Sequence, residues 1–121
     1  MKKKDKVSSR RIGLDMGLAV GRFFLNTEDL HYGYWPNGKE ANVQNLAEAQ
    51  EAHSQLIIDH VPAKIKKSIL DMRSGSGNIA LKLLNLGYNV GCVIPNEFLD
   101  ELVTLKLGDR GKIYICGFEI N

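Results

Sequence analysis

Short apolar segments alternate with longer amphipathic segments in the second half of the chain. The apolar segments span residues 68–72, 89–94 and 112–116, and between them apolar residues recur every three or four positions. Short apolar runs are typical of buried strands, whereas the spacing of three to four predicts helices at 78–86 and 96–107. Strands that alternate with helices predict right-handed βαβ units in a parallel sheet with the strand order 3-2-1.

The first half of the chain has a weaker pattern. Residues 12–25 predict a helix, residues 27–42 are rich in aromatic and turn-forming residues, and residues 43–60 predict a second, amphipathic helix. The core contacts expected from the first helix are Leu14, Leu18 and either Phe24 or Leu25. The apolar face expected for the second helix comprises Leu46, Ala49, His53, Leu56, Ile57 and His60.

The pattern contains no fourth strand. In a doubly wound sheet the first strand is central, so without a fourth strand it becomes an apolar edge with unpaired backbone groups. We therefore expect an α/β half-domain, truncated before strand 4, whose open edge is covered by the N-terminal helices, a second copy or another chain.

Composition narrows the class of protein. The chain has 121 residues, 44% of them hydrophobic and 25% charged, with a net charge of +2. These values are typical of a single globular domain, and no apolar run is long enough to cross a bilayer. Lysine and arginine cluster in residues 1–11, which we interpret as a flexible basic tail ahead of one domain at 12–121. No nucleic-acid motif accompanies this tail, so no nucleic acid is expected as a partner.

Cysteine and histidine usage points away from disulfides and metals. Cys92 and Cys116 both fall in predicted strands, and we expect two buried free thiols in a reducing cytoplasm. His53 and His60 are seven residues apart on one helix, which is not the spacing of a zinc pair, so no metal is expected.

The stretch "DMRSGSGN" joins the first predicted strand of the sheet to its helix. Gly75 and Gly77 allow a sharp turn and a close approach of the backbone to a ligand. A glycine loop of this kind also occurs for steric reasons alone. The stretch lacks the Gly-Lys-Ser/Thr signature of a phosphate loop, which excludes a nucleotide triphosphatase.

The longer stretch "ILDMRSGSGNIALKLLNLGYNV" resembles motif I of the class I S-adenosylmethionine-dependent methyltransferases. Upstream, "FFLNTEDLHYGYW" and "NLAEAQEAHSQLIIDHV" resemble the lid and leader helix of the branch that contains cyclopropane-fatty-acid synthases and small-molecule or lipid methyltransferases. The resemblance covers about residues 23–119. It implies a Rossmann-like fold, with a helical lid region at 12–62 and a cofactor-binding βαβαβ unit at 63–121. It also implies S-adenosylmethionine as cofactor and a small molecule or lipid as methyl acceptor.

The resemblance also implies cofactor contacts near the glycine loop and the lid. Asp71 would orient the loop or the amino group of the cofactor, and Gly75 and Gly77 would face its methionine part. His31, in the lid, matches residues that reach the cofactor carboxylate in that branch.

Further contacts are implied at the ends of the next two strands. Ile94 and Pro95 would lie near the ribose and adenine, and Phe118 and Glu119 near the adenine. No catalytic residue can be named. Tyr32, Tyr34 and Trp35 are expected to pack locally or to form part of a substrate cage.

Two departures from the family pattern affect the functional hypothesis. Arg73 replaces the first glycine of the motif, where a side chain would crowd the cofactor, and Ile94 replaces the acidic residue that commonly binds the ribose. The first hypothesis is therefore a methyltransferase-like protein that is weak or inactive as this chain alone. The alternative is a non-catalytic subunit or remnant that pairs with another chain across the open strand 1 edge.

Overall fold

The computed structural model describes residues 8–62, 68–72, 74–95 and 97–116. Four helices and three strands follow in the order α1, α2, β1, α3, β2, α4, β3. Their bounds are Ser9–Val20, Leu46–Asp59, Ile69–Met72, Asn78–Asn85, Val90–Ile94, Glu97–Leu107 and Lys112–Ile115. Short helical turns at Gly21–Leu25, Val43–Asn45 and Gly108–Arg110 adjoin α1, α2 and α4.

The three strands form one parallel sheet in the order β1-β2-β3, which confirms the predicted topology. Ile69 pairs with Val90, and Gly91 with Lys112, so the strands start at nearly the same level. All five residues of β2 are buried because this strand lies between the other two. The carboxyl ends of β1 and β2 therefore meet at one edge of the sheet.

The two faces of the sheet differ in cover. On one face, Cys92 and Ile94 of β2 are completely buried in a core that α3 and α4 complete. The core residues are Ile58, Ala80, Leu83, Val90, Cys92, Ile94, Leu99, Val103 and Leu107. Side chains alternate along a strand, and on the other face Leu70, Met72 and Tyr114 are 55%, 55% and 50% exposed. That second face is apolar and open in the part of the chain that the structure describes.

Helices α3 and α4 have the buried faces that their spacing predicts. Ala80 and Leu83 of α3 are buried, and Leu99 and Val103 of α4 lie four residues apart against them. Gly87 ends α3 with a φ of 93°, the left-handed backbone expected of a C-terminal glycine.

Helix α2 exists as predicted, but its predicted inward face is right only in part: Ala49 is buried, Leu46 and His53 are half-buried, and His60 is exposed. The buried residues are Ala49, Gln50, Ser54 and Ile58, whereas Leu56 and Ile57 are exposed. The inward face contains two polar residues, and an apolar pattern cannot find it. Hydrogen bonds from the Gln50 side chain to the segment that precedes α2 offset the cost of burying this polar group.

Helix α1 begins at Ser9, inside the segment interpreted as a tail. The Ser8 hydroxyl accepts a hydrogen bond from the Arg11 amide at 3.3 Å and so caps the helix. The Arg11 guanidinium then lies 5.3 Å from the centre of the Phe98 ring, which places α1 against α4. Of the predicted core contacts, Leu18 is buried and Phe24 is exposed.

The two cysteines have different environments. Both thiols are free, as expected, and Cys92 is completely buried. Cys116 is exposed and follows the last residue of β3, so the prediction that it is buried in a strand is wrong. Among the described residues, β3 lies at an edge of the sheet, so the position that follows its last residue is open to solvent.

Among the described residues, no helix is both long enough and apolar enough to cross a bilayer.

Candidate functional site

A cavity of about 330 Å³ lies where the carboxyl ends of β1 and β2 meet the loop that begins α3. Three groups of residues line it: part of the segment before α2, the β1–α3 loop with the start of α3, and the β2–α4 junction. They are Asp29, Leu30, His31, Asp71, Ser74, Gly75, Ser76, Asn78, Ile79, Pro95 and Leu99. Ligands of open α/β sheets bind outside the carboxyl ends of the strands, so the position is that of a binding site.

The β1–α3 loop is a tight turn that requires glycine. Gly75 and Gly77 have φ angles of 53° and 82°, in the left-handed region that side chains disfavour. The Gly77 amide donates to the Ser74 carbonyl at 2.8 Å, and the Gly77 carbonyl accepts the first hydrogen bond of α3 from Leu81. A Cβ on Gly77 would lie 3.3 Å from a methyl group of Val103, so the loop rests directly on α4.

Asp71 brings an unusual charge to the cavity. One oxygen of its carboxylate, Oδ2, is buried and has no hydrogen-bond partner among the described residues. Burial raises the pKa of Asp71, while a hydrogen bond from Ser74 acts in the opposite direction. A buried carboxylate oxygen without a partner is costly, and a cationic group in the cavity would relieve that cost.

The segment before α2 covers one side of the cavity, and we call residues 26–33 the lid. Gln50 holds the lid: its amide nitrogen donates to the carbonyl oxygens of Asp29 and His31 at 3.0 and 2.8 Å. Its amide oxygen accepts from the Thr27 hydroxyl at 2.7 Å. These three bonds satisfy Gln50, which is 3% exposed, and fix the lid backbone on α2.

His31 points from the lid toward the cavity. Its Nδ1 lies 2.7 Å from the Tyr32 carbonyl oxygen, so Nδ1 is the donor of this hydrogen bond. Nε2 lies 3.4 Å from the Ser54 hydroxyl oxygen and 3.8 Å from the Asp29 carboxylate. The ring also packs on His53, with 4.8 Å between ring centres.

A second, larger groove of about 510 Å³ lies between α1 and the lid. It shares Asp29, Leu30 and His31 with the first cavity, so the two spaces meet at these residues. The rest of its wall is mostly apolar and includes Met16, Val20, Leu25, Tyr32, Trp35 and Leu46.

Known proteins resemble this chain in sequence over part of its length. No family model matches it. The (+)-O-methylkolavelool synthase of Herpetosiphon aurantiacus is 36% identical over 67 residues, which cover 54% of this chain and 23% of that protein.

Solved structures resemble it over a larger share. The geranyl diphosphate C-methyltransferase of Streptomyces coelicolor A3(2), solved with S-adenosyl-L-homocysteine, matches 84% of this chain and 43% of its own, with a TM-score of 0.63 and 16% identity. The [4+2]-cyclase SpnF matches 89% of this chain and 42% of its own, with a TM-score of 0.61 and 17% identity.

The chain has a Rossmann-like fold that is similar to half of a class I methyltransferase domain. It spans less than half the length of these solved proteins, and about a quarter of the curated relative. The match to a [4+2]-cyclase shows that this fold also serves other chemistry, so the residues of the site have to carry the functional argument.

Within this fold, the structure brings together four of the residues expected at the cofactor. Asp71, Gly75, His31 and Pro95 all line the cavity. Gly77 caps α3 directly behind the loop. The other predicted contacts, Ile94, Phe118 and Glu119, are not among the described residues that line the cavity.

Ile94 is completely buried in the core of the fold rather than in the cavity wall. Phe118 and Glu119 lie outside the described residues, as does Arg73, the residue in place of the first motif glycine. The aromatic residues at 32–35 have different environments: Tyr32 and Tyr34 are exposed, whereas the indole nitrogen of Trp35 is buried.

Four polar residues of the cavity were not among the predicted contacts: Asp29, Ser74, Ser76 and Asn78. Asp29 and Asn78 lie 49 residues apart, yet the Asn78 amide donates to the Asp29 carboxylate at 2.8 Å. Asn78 follows directly on Gly77, and this position at the start of a helix was an available signal. For Asp29 the sequence contains no comparable signal, apart from its position two residues before His31.

Proposed function

We propose that the cavity binds S-adenosylmethionine and that the chain serves methyl transfer to an apolar small molecule or lipid. The observation that carries this proposal is the Asp71 carboxylate, which lines the cavity beside the glycine loop and has one buried oxygen without a hydrogen-bond partner among the described residues. The negative charge of this carboxylate would pair with the positively charged amino group of the cofactor. The solved neighbours that hold S-adenosyl-L-homocysteine or sinefungin support the same cofactor.

The proposed roles of the site residues follow from what each offers. Asp71 would bind the cofactor amino group, and the open backbone at Gly75 and Gly77 would accept its methionine part. His31, in the lid, would reach the cofactor carboxylate. Pro95 would lie near the ribose and adenine, with Phe118 and Glu119 as further adenine contacts, whereas Ile94 is buried in the core and would support Pro95 from behind.

The cofactor would supply a methyl group on a sulfonium, and the protein's part is to position donor and acceptor. We propose the groove between α1 and the lid as the acceptor side, since it meets the cavity at Asp29, Leu30 and His31. Its apolar wall favours an apolar acceptor over a charged one. The geranyl diphosphate named for the solved neighbours agrees with this wall only through its apolar geranyl chain, since its diphosphate is charged.

The matched residues span 43% of the solved methyltransferase, so we propose that this chain alone transfers methyl groups weakly or not at all. We retain the division into a helical region at 12–62, which contains the lid, and a cofactor-binding unit at 63–121.

We also propose a cytoplasmic location, because the exposed free thiol of Cys116 suits a reducing compartment.

A second candidate function is that of a non-catalytic partner subunit. It is favoured by the exposed apolar residues Leu70 and Met72 of β1, whose outer edge has no neighbouring strand among the described residues. Such a subunit would pair with another chain, or with a second copy, across this edge.

Titration calorimetry with S-adenosylmethionine and S-adenosyl-L-homocysteine tests the donor site. We expect binding in the micromolar range, and an Asp71→Asn variant that binds about tenfold more weakly because it loses the anionic partner. Circular dichroism checks that both proteins are folded. An absence of binding heat from the folded wild-type chain would overturn the donor site and favour the partner subunit.

A further inference from the structure

A chain of polar side chains runs from α4 through the start of α3 to the lid. Its centre is Lys106, near the end of α4, whose ammonium lies 2.7 Å from Asn78 Oδ1 and 2.6 Å from Glu28 Oε2. Asn78 then donates to Asp29 Oδ1 at 2.8 Å. At the outer end, Arg22 Nε bonds the second oxygen of Glu28 at 3.1 Å.

The charge of Lys106 decides how the Asn78 amide is oriented. An ammonium group can only donate hydrogen bonds, so the Asn78 atom that faces it must be the carbonyl oxygen. The NH₂ group must then point the other way, toward Asp29. The side chains of Lys106 and Asp29 are only 14% and 11% exposed. Water therefore competes weakly for their hydrogen bonds, and both bonds hold the Asn78 amide in this orientation.

We infer that Lys106 is a positioning residue for the donor cavity, acting through Asn78 on the carboxylate of Asp29. Lys106 does not line the cavity, whereas Asn78 and Asp29 both do. The inference rests on the proposed function, since it assigns Lys106 a part in binding the donor.

The same ammonium also fastens the lid. Glu28 and Asp29 are consecutive lid residues, and the first bonds to Lys106 while the second bonds to Asn78. The lid is thus held to α4 and α3 at adjacent positions. The hydrogen bond from Lys106 is also the main reason why the pKa of Glu28 is lowered, with Arg22 adding to it.

Removal of the charge should therefore loosen two contacts at once. Without Lys106 the Asn78 amide can turn over, and Glu28 loses its most buried partner. Asp29 then no longer has a fixed donor, and on the side of α2 the lid keeps its contacts with Gln50 and Ser54.

The test compares Lys106→Met with Lys82→Met as a matched control. Lys82 is on α3 and pairs with Glu51 at the surface, and it touches neither the cavity nor the lid. We expect Lys106→Met to weaken binding of S-adenosyl-L-homocysteine about tenfold, and Lys82→Met to change it by less than about twofold. Lys106→Arg, which keeps a charged donor, should restore most of the affinity and also guards against a folding defect.

Two further measurements separate positioning from general stability. Asn78→Ala should weaken binding by part of the loss seen in Lys106→Met, and the double variant should be no weaker than Lys106→Met, because the path through Asn78 is already lost in that variant. A double variant whose losses add would overturn the path through Asn78. Wild-type affinity in Lys106→Met would overturn the inference directly.

Amide hydrogen exchange without any ligand keeps the inference distinct from the proposed function. Exchange in residues 27–33 should accelerate in Lys106→Met, by about tenfold, and stay unchanged in Lys82→Met. If the wild-type chain does not bind the ligand, the donor site fails, and the inference fails with it as a statement on donor binding. Unchanged lid exchange in Lys106→Met would overturn the fastening of the lid whatever the ligand does.

Discussion

At the scale of single residues, the buried carboxylate of Asp71 in the candidate site lowers the stability of the folded chain. Its buried oxygen has no partner among the described residues, and burial raises its pKa. An acid whose pKa is higher in the folded state binds its proton more tightly there. The folded chain therefore loses stability from this group as the pH rises from about 3.9, the ordinary aspartate value, through the raised pKa.

We expect the Asp71→Asn variant, free of ligand, to be more stable than the wild type at pH 7, by about 1 kcal/mol. Around pH 3 the difference should vanish because the wild-type carboxyl is then protonated. Urea unfolding at several pH values measures this. A difference in stability that does not change between pH 3 and pH 7 would contradict the effect of the buried charge.

At the scale of elements, the junction of β1, the glycine loop and α3 is fixed by backbone geometry. Gly77 has a φ of 82° and would bring a side chain to 3.3 Å from Val103. Gly87, at the other end of α3, has a φ of 93° but has open space around it. The two glycines share the backbone conformation and differ in their surroundings, which makes them a matched pair.

Replacing either glycine with alanine should cost about 1–2 kcal/mol for the left-handed backbone. Gly77→Ala should lose about 1 kcal/mol more, because its methyl group presses on Val103. Thermal unfolding of the two variants gives the comparison. Equal losses would mean that α4 yields to the added methyl group, and that close packing does not explain this glycine.

At the scale of the whole molecule, the described residues cover one face of the sheet and leave the other open. Leu70, Met72 and Tyr114 lie on the open face, and no described strand pairs with the outer edge of β1. A parallel sheet is normally covered on both faces. An apolar open face next to an edge strand favours association with another chain or a second copy.

Sedimentation equilibrium should find the chain associated at micromolar concentration. The double variant Leu70→Lys, Met72→Lys should shift it toward the monomer, because two charges would be buried on association. Leu105→Lys is the control, since Leu105 of α4 is 86% exposed and lies away from the sheet. A wild-type chain that is monomeric under these conditions would contradict association through this face.

The sequence by itself determined the elements whose contacts are local. The spacing of apolar residues predicted α3, β2, α4 and the strand order, because a βαβ unit buries one continuous face that periodicity records directly. The motif with Gly75 and Gly77 likewise located the cavity, together with Asp71, His31 and Pro95. Each of these rests on neighbours close in sequence or on a motif.

The tertiary structure decided which polar residues are buried and what they bond to. Helix α2 turns Gln50 and Ser54 inward because the lid supplies hydrogen-bond partners, and no periodicity of apolar residues contains that information. Lys106 meets Glu28 across 78 residues of chain, where the fold brings α4 beside the lid. Burial of apolar surface depends on spacing along the chain, whereas a buried hydrogen bond depends on where a distant partner lies.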